Sequence, residues 1–248
     1  MRIGRFSTLK VELLGVRFDD LSPEEMVHTA ASLIEAGGFH YAVTPNPEFL
    51  LAARKNEAFR TVLNQADLSM PDGIGVVYVS KILGRPLKGR VPGIDFAEHL
   101  VAWMARTGKR LYLLGSKPGV AEAAAKTLTE RYPGLTVCGT HDGYFQEDAP
   151  VIEAVRASGA DVVLVGLGAP KQELWMAQNG PATGARFMVG LGGALDVFAG
   201  NVERAPEAWQ KAGMEWCYRL LKEPKRIGRM AKLPLVLVQA AGARLRGR

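Results

Sequence analysis

The stretch DVVLVGLGAPKQE, residues 161–173, decides the fold. A short apolar run ends in a glycine-rich turn, and a proline then begins a polar segment, which is the pattern of a buried strand followed directly by a helix. Strands without polar alternation are covered on both faces and are typical of parallel sheets packed between helices. This stretch therefore predicts one strand and one helix of an α/β protein.

The same pattern recurs along the chain. Strands are predicted over residues 11–16, 39–43, 67–70, 110–115, 135–140, 161–166 and 186–191. Helices are predicted from Ser22-Pro23 to about residue 36, from Asn46-Pro47, from Asn56, and over 94–107 and 118–132. An open doubly wound sheet and an eight-stranded barrel both fit this alternation. We favour the open sheet, because polar and glycine clusters directly follow the strands.

Composition excludes several classes of protein. Of 248 residues, 48% are hydrophobic and 23% are charged, which excludes disorder and collagen and suits one sizeable domain with a short appendage. Two cysteines, Cys138 and Cys217, exclude a disulfide framework and a four-cysteine zinc site, so a reducing cytoplasm is expected. No apolar run has the length of a signal peptide or a membrane span, and nothing is expected to cross a bilayer.

Positive charge is concentrated at the end of the chain. Residues 224–248 hold seven of the 31 lysines and arginines and no acid, which leaves 24 bases against 25 acids in residues 1–223. Bases at helical spacing precede the apolar run LPLVLV (233–238). A basic helix that continues into apolar residues suits the surface of an anionic membrane. A nucleic-acid-binding arm, and a terminal helix that packs LPLVLV on the core, are the alternatives.

Motifs for common cofactors are absent from the sequence. There is no P-loop, no complete G-x-G-x-x-G, no H-E-x-x-H, no C-x-x-C and no Asp-x-Asp pair. These absences weaken the interpretations as an ATPase, a dehydrogenase or a metalloenzyme. A reaction without a cofactor or a metal is the simplest prediction.

Polar clusters follow the predicted strands, at the edge where parallel sheets bind ligands. Thr44 and Asn46 either cap a helix or present hydrogen-bonding groups to a ligand, and Asp72 is either a turn residue or a general base. The glycine loops at 166–168 and 190–192 either pack closely or bring backbone amides to a phosphate. Residues 171–173 form either a solvated helical turn or partners for sugar hydroxyls.

Taken in order, the motifs resemble the WecG/TagA/CpsF family of bacterial glycosyltransferases, glycosyltransferase family 26. They are TPNPEFL (44–50), ADLSMPDGIGVV (66–77), RVPGID (90–95), LYLLGSKPGVAEAAA (111–125), DGYF (142–145), VGLGAPKQE (165–173), GLGGALDVFAG (190–200), RAPEAW (204–209) and EWCYRLLKEPKRIGR (215–229). The resemblance covers residues 10–232. It implies a Rossmann-like parallel sheet flanked by helices, with a catalytic core over 1–200 and a C-terminal helical, basic, membrane-associating appendage over 201–248.

The resemblance also implies an activity. It is the inverting, metal-independent transfer of a sugar from a UDP-sugar to a polyprenyl-diphosphate-linked, GlcNAc-type acceptor, without a cofactor, at the cytoplasmic face of the membrane. The expected sugar is N-acetylmannosamine or a related hexosamine, and the expected product is cell-surface polysaccharide or teichoic acid. Three alternatives stay open: a UDP-glucose or UDP-hexuronic acid donor, a non-catalytic nucleic-acid-binding module, and a soluble nucleotide-sugar enzyme whose tail forms an oligomer interface.

Residue roles carry over from the family by motif. The resemblance implies that Asp72 deprotonates the acceptor hydroxyl, while Thr44 and Asn46 position the reacting groups. The other implied contacts are Arg90 and Gln172 near the donor sugar or its phosphates, Tyr144, Asp196, Gly166 and Gly168 in the nucleotide pocket, and Arg219, Arg226 and Arg229 on the lipid or donor diphosphate. The expected partners are a UDP-sugar, a lipid-linked acceptor and an anionic membrane surface, with no nucleic acid and with a homo-oligomer as an option.

Overall fold

A computed structural model describes residues 10–211, 213–222 and 232–246. The strands are β1 (Lys10–Leu13), β2 (Val16–Asp19), β3 (His40–Val43), β4 (Leu68–Ser69), β5 (Arg110–Gly115), β6 (Thr136–His141), β7 (Val162–Gly166) and β8 (Phe187–Gly190). The helices are α1 (Pro23–Ala36), α2 (Pro47–Lys55), α3 (Glu57–Gln65), α4 (Ile74–Ile82), α5 (Gly93–Thr107), α6 (Val120–Arg131), α7 (Asp148–Ser158), α8 (Lys171–Asn179), α9 (Ala194–Phe198), α10 (Glu207–Lys211), α11 (Glu215–Lys222) and α12 (Lys232–Leu245).

Six of the strands form one open parallel sheet in the order β4-β3-β8-β7-β5-β6. The prediction of an α/β fold with an open sheet is confirmed. Alternate residues of β7 explain its unbroken apolar sequence: Val163 and Val165 pack on one face of the sheet, and Val162 and Leu164 pack on the other. Both faces are therefore buried, as the continuous apolar runs predict.

Helices cover the two faces in separate sets. One face packs against α1, α5, α6 and α9, and the other against α2, α3, α7 and α8. The second set also includes α4, α12 and the hairpin formed by β1 and β2. Because the helices after β3 and β8 lie on opposite faces, a crevice opens between the carboxyl ends of these neighbouring strands.

The predicted strand over 11–16 is wrong. This segment instead forms the antiparallel hairpin of β1 and β2, separate from the main sheet. Leu14 and Gly15 connect the two strands with φ angles of 50° and 88°. A two-residue hairpin turn of type I′ has positive φ at both central positions, and the glycine adopts it without strain, so the run divides at this point.

Three of the predicted helix starts are confirmed by their caps. Ser22 and Glu25 form a reciprocal capping box at α1, in which the Glu25 amide donates to the Ser22 hydroxyl and the Ser22 amide donates to the Glu25 carboxylate. Asn46 and Asn56 accept hydrogen bonds from the first amides of α2 and α3. Each cap satisfies backbone donors that have no partner within the helix, which fixes where the helix begins.

The apolar run of the tail lies on the core. Helix α12 packs against α2 and α4, with Val236 and Ala240 fully buried. Leu235 and Val238 stay exposed on the same helix. No helix within residues 10–211, 213–222 and 232–246 is long and apolar enough to span a membrane.

Candidate active site

A cavity of about 280 Å³ lies at the carboxyl edge of the sheet, in the crevice between the helices that follow β3 and β8. Its lining comes from segments that are far apart in the sequence. It comprises Asn46, Pro47, Glu48, Asp72, Gly73, Ile74, Gly75, Arg90, Pro92, Gly93, Ile94, Leu191, Gly193, Ala194, Val197, Gly213, Glu215, Trp216 and Leu233. Three of the predicted site residues, Asn46, Asp72 and Arg90, therefore come together here.

Asp72 reaches the cavity on a turn that follows the short strand β4. The Met70 amide donates to the Val43 carbonyl over 2.9 Å, and the Asp72 amide donates to the Pro45 carbonyl over 3.1 Å. These bonds extend the pairing of β3 and β4 beyond the strands and hold the aspartate backbone in place. Gly73 follows at a φ of 92°, a conformation that favours glycine. The PDG sequence is therefore a tight turn that also places Asp72 in the lining of the cavity.

Asn46 and Thr44 follow β3 but occupy different positions. The Asn46 Oδ1 accepts from the amides of Glu48 and Phe49 at 2.8 and 3.3 Å, so this oxygen caps α2 at the cavity wall. Thr44 is buried behind the lining, where its hydroxyl donates to the Gly190 carbonyl over 2.8 Å. Thr44 thus joins the end of β3 to the end of β8, beneath the residues that line the cavity.

Arg90 lies in the cavity wall and connects it to the C-terminal part of the chain. Its Nη2 donates to the Gln210 carbonyl over 2.6 Å, and its Nη1 lies 3.4 Å from a carboxylate oxygen of Glu215. Glu215 is also buried, 4.0 Å from the Arg204 guanidinium. This ion-pair network closes one side of the cavity with residues that the sequence analysis did not select.

Gln172 and Glu173 are buried at the start of α8, with exposed fractions of 2% and 0%. They do not form the solvated helical turn that was one of the two interpretations. The Gln172 Oε1 accepts from the Gly192 amide over 3.1 Å, and its Nε2 donates to Glu173 over 2.6 Å. Gln172 therefore holds the loop after β8, of which Leu191 and Gly193 line the cavity.

Burial has an electrostatic consequence at Glu173. Removal of the carboxylate from water raises the pKa of Glu173 to about 7, against the opposing effect of the hydrogen bond from Gln172. The second carboxylate oxygen, Oε2, is buried without a hydrogen-bond partner in the described part of the chain. The sequence indicated this residue only as part of a solvated turn or as a partner for sugar hydroxyls, and its complete burial was not predicted.

A second group of predicted residues lies at the ends of β5, β6 and β7. The Ser116 hydroxyl donates to Asp196 over 2.9 Å, and the Ser116 amide donates to the Gly166 carbonyl over 3.0 Å. Gly143 donates to the Ser116 carbonyl over 2.8 Å, and the Tyr144 side chain next to it is 67% exposed. These residues do not line the 280 Å³ cavity.

Glycine 166 connects the two groups. A Cβ at this position would lie 2.9 Å from the Gly192 carbonyl, so only glycine lets the loops after β7 and β8 approach this closely. Gly168 has a φ of 75°, which also favours glycine. The loop after β8 thus borders both the cavity and the Ser116 group, and the two form neighbouring parts of one edge.

The predicted diphosphate-binding arginines are only partly described. Arg219 lies within α11. Arg226 and Arg229 lie outside the described residues. Among residues 10–211, 213–222 and 232–246, no group of three or more His, Cys, Asp or Glu side chains could hold a metal ion.

Comparison with known proteins identifies the family. The profile described as "Glycosyl transferase WecG/TagA/CpsF family" matches residues 11–248. Relatives from Staphylococcus aureus strains MW2, MRSA252 and NCTC 8325 / PS 47 are 35% identical over 243 residues, which is 97% of this chain and 95% of each relative. Each is named N-acetylglucosaminyldiphosphoundecaprenol N-acetyl-beta-D-mannosaminyltransferase. With a match of this extent over both the sheet and the tail, the chain belongs to the WecG/TagA/CpsF family of glycosyl transferases and is a glycosyltransferase.

Proposed function

We propose that the chain transfers N-acetylmannosamine, or a related hexosamine, from a UDP-sugar to a polyprenyl-diphosphate-linked GlcNAc. The observation that carries the proposal is the carboxylate of Asp72, held on a rigid turn in a cavity with Asn46 and Arg90. The names of the relatives support the choice of sugar and acceptor. The product would enter cell-surface polysaccharide or teichoic acid synthesis.

Asp72 acts as the general base in the proposed reaction. It accepts the proton of the acceptor hydroxyl, whose oxygen attacks the anomeric carbon of the donor from the face opposite the UDP. The bond from that carbon to the UDP oxygen breaks, its electron pair leaves with UDP, and the anomeric configuration inverts. General-base catalysis of this kind contributes roughly 10²–10⁴-fold to the rate.

Charge on the leaving UDP must be stabilised as it develops. The proposed transfer uses no resident metal, in keeping with a sequence that lacks an Asp-x-Asp pair. We assign the stabilisation to cationic side chains and backbone amides, namely Arg90, the amides of the loop after β8, and the tail residues Arg219, Arg226 and Arg229. Guanidinium groups suit this role, because they donate two parallel hydrogen bonds to phosphate oxygens.

The nucleotide itself is proposed to bind beside Ser116 and Asp196. An exposed Tyr144 offers a ring for a base, and glycines at 166 and 168 let the backbone approach a ligand. Gln172 then acts by holding the loop between this group and the cavity. The donor would lie across the loop, with its sugar towards Asp72.

We propose that the enzyme works as a peripheral protein at the cytoplasmic face of the membrane, with a catalytic core over 1–200 and an appendage over 201–248. The acceptor named for the relatives carries an undecaprenyl chain, and such a chain resides in a bilayer. Exposed Leu235 and Val238 on α12 provide apolar contact area near the cavity-lining Leu233. A homo-oligomer that covers these side chains is the competing use of the same surface.

The decisive experiment measures UDP release by the purified protein over a panel of UDP-sugars. The acceptor is a polyprenyl-diphosphate-GlcNAc analogue in anionic liposomes, and the wild type is compared with Asp72→Asn. We expect release that requires the acceptor, prefers UDP-N-acetylmannosamine and falls at least about 100-fold in the variant. Preference for UDP-glucose or UDP-hexuronic acid would correct the donor, full activity of the variant would remove Asp72 as the base, and no release with any donor would refute the function.

A further inference from the structure

A second cavity, of about 580 Å³, lies away from the active site. Four arginines line it, Arg54, Arg85, Arg244 and Arg246, together with a single carboxylate, that of Glu12. They come from α2, from the segment after α4, and from the end of α12. We call this site the arginine cavity. Four guanidinium groups around one cavity repel one another unless an anion lies between them.

Within residues 10–211, 213–222 and 232–246, no carboxylate is paired with these guanidinium groups as that anion. Glu12, the one acidic residue of the lining, lies 3.9 Å from Arg17, which is not part of the lining. None of the four arginines forms an ion pair with a carboxylate of the described residues. Three helices end here, and each carbonyl end contributes about half a negative charge. Even with these dipoles and Glu12 counted, the arginine cavity keeps a net positive charge.

Hydrogen bonds to backbone carbonyls hold part of the cluster in place. Arg85 donates to the Glu12 carbonyl over 3.1 Å, and Arg244 donates to the Leu83 carbonyl over 2.9 Å. A Cβ at Gly84 would overlap the Arg244 guanidinium, so the glycine makes room for it. Two of the four guanidinium groups are therefore already in place, which lowers the ordering cost of binding an anion.

The arginine cavity and the active site lie at opposite ends of the same three helices. The first residues of α2 and α4 and Leu233 of α12 line the active site. The last turns of α2 and α12, and Leu83 after α4, line the arginine cavity. At 1.5 Å per residue the two sites are on the order of 10–20 Å apart, so one membrane-bound molecule of enzyme could contact lipid at both.

An exposed apolar stripe on α12 runs between the two sites. Leu235, Val238 and Leu245 are 50%, 69% and 89% exposed, and they fall within about 80° of one another around the helix axis. Leu245 lies between Arg244 and Arg246 in the sequence. Apolar side chains beside arginines are typical of helices that lie in the membrane interface, where arginines meet lipid phosphates. This arrangement favours a lipid over a soluble phosphate compound.

We propose that the arginine cavity binds the phosphate of an anionic lipid headgroup and so anchors the far end of α12 at the membrane. Guanidinium groups recognise a phosphate through paired hydrogen bonds, which fits the chemistry of the lining. The inference rests on the proposed function only for the source of the phosphate. It assigns the cavity no part in the transfer reaction.

The test compares vesicle binding of two double variants by cosedimentation, on phosphatidylcholine vesicles with and without phosphatidylglycerol. The cavity variant, Arg54→Gln with Arg246→Gln, removes two charges from the arginine cavity. Within the described residues, neither side chain bonds to another helix or strand, since Arg246 donates only to the Gly242 carbonyl at the end of the same chain segment. Arg106→Gln with Lys126→Gln removes two charges from exposed positions on α5 and α6. We expect roughly 30-fold weaker binding to phosphatidylglycerol vesicles for the cavity variant and less than about threefold for the control.

Each other outcome overturns the proposal. Equal weakening of both variants would mean that diffuse charge alone attracts the protein. Binding of inorganic phosphate at the arginine cavity, without preference for phosphatidylglycerol, would assign the site to a soluble phosphate. A second measurement, UDP release with a water-soluble acceptor analogue, separates this question from the proposed function. The cavity variant should retain this release. Absence of the release in the wild type would refute the transfer and leave the vesicle comparison intact.

Discussion

Replacement of Glu173 by glutamine should stabilise the protein at alkaline pH and have a smaller or opposite effect under acidic conditions. Burial raises the pKa of this carboxyl from 4.5 to about 7. The folded state therefore holds the proton more tightly than the unfolded state. Compared with a protein that has a neutral side chain here, the wild type keeps its full free energy of unfolding below pH 4.5. That free energy falls as the pH rises and reaches its minimum above pH 7.

The magnitude follows from the size of the shift. At 1.36 kcal/mol per pKa unit, the difference between 4.5 and about 7 corresponds to about 3 kcal/mol of destabilisation at pH 8. Glutamine keeps an acceptor for the Gln172 amide but cannot ionise. It also adds an amide donor where Oε2 has no partner in the described chain, a cost that is the same at every pH.

The assay is urea unfolding of the wild type and Glu173→Gln at pH 5 and pH 8, followed by circular dichroism. The quantity to compare is the free-energy difference between the two proteins at each pH, because it cancels the titration of all other groups. Part of the effect is already present at pH 5, because the unfolded-state carboxyl is mostly ionised there. We therefore expect this difference to move in favour of the variant by about 2.5 kcal/mol between the two conditions. Exposed Glu35→Gln serves as the control and should show no such change. A difference that is the same at both pH values would refute the reasoning.

Three further predictions test the packing and the site. Gly75→Ala should lower the free energy of unfolding by about 1–3 kcal/mol in urea titrations, because its Cβ would lie 2.5 Å from Leu233 of α12. Truncation after Leu220 should abolish UDP release while circular dichroism still shows a folded core, and normal turnover would contradict it. Ser116→Ala should raise the KM for the UDP-sugar up to about tenfold with kcat little changed, because it removes the hydrogen bond that orients Asp196; an unchanged KM would count against this nucleotide site.

Local sequence was sufficient to predict most of the fold. The apolar runs and the caps at Ser22, Asn46 and Asn56 predicted the sheet strands and several helix starts, because these signals depend on neighbouring residues alone. Helix α4 was not predicted, since its sequence IGVVYVSKI is nearly all apolar and a buried helix of this kind cannot be told from a strand by periodicity.

The candidate site was predicted only in part, because several of its contacts join distant segments. Asp72 and Asn46 carry local turn and cap signals. The burial of Gln172 and Glu173 depends on a loop from another strand, which closes over them through Gly192. The pairing of Arg90 with Glu215 spans 125 residues, and no local pattern indicates it. Long-range contacts of this kind are set by the packing of the whole domain.

The wall of the active-site cavity begins at Asn46 and ends at Leu233, so its lining comes from segments that lie far apart in the chain. A ribosome releases the sheet first, and the segment that carries Gln210, Glu215 and α12 emerges last. The catalytic cavity is therefore complete only after this segment has left the ribosome, and a nascent chain that still lacks it would have no complete site with which to consume its substrates.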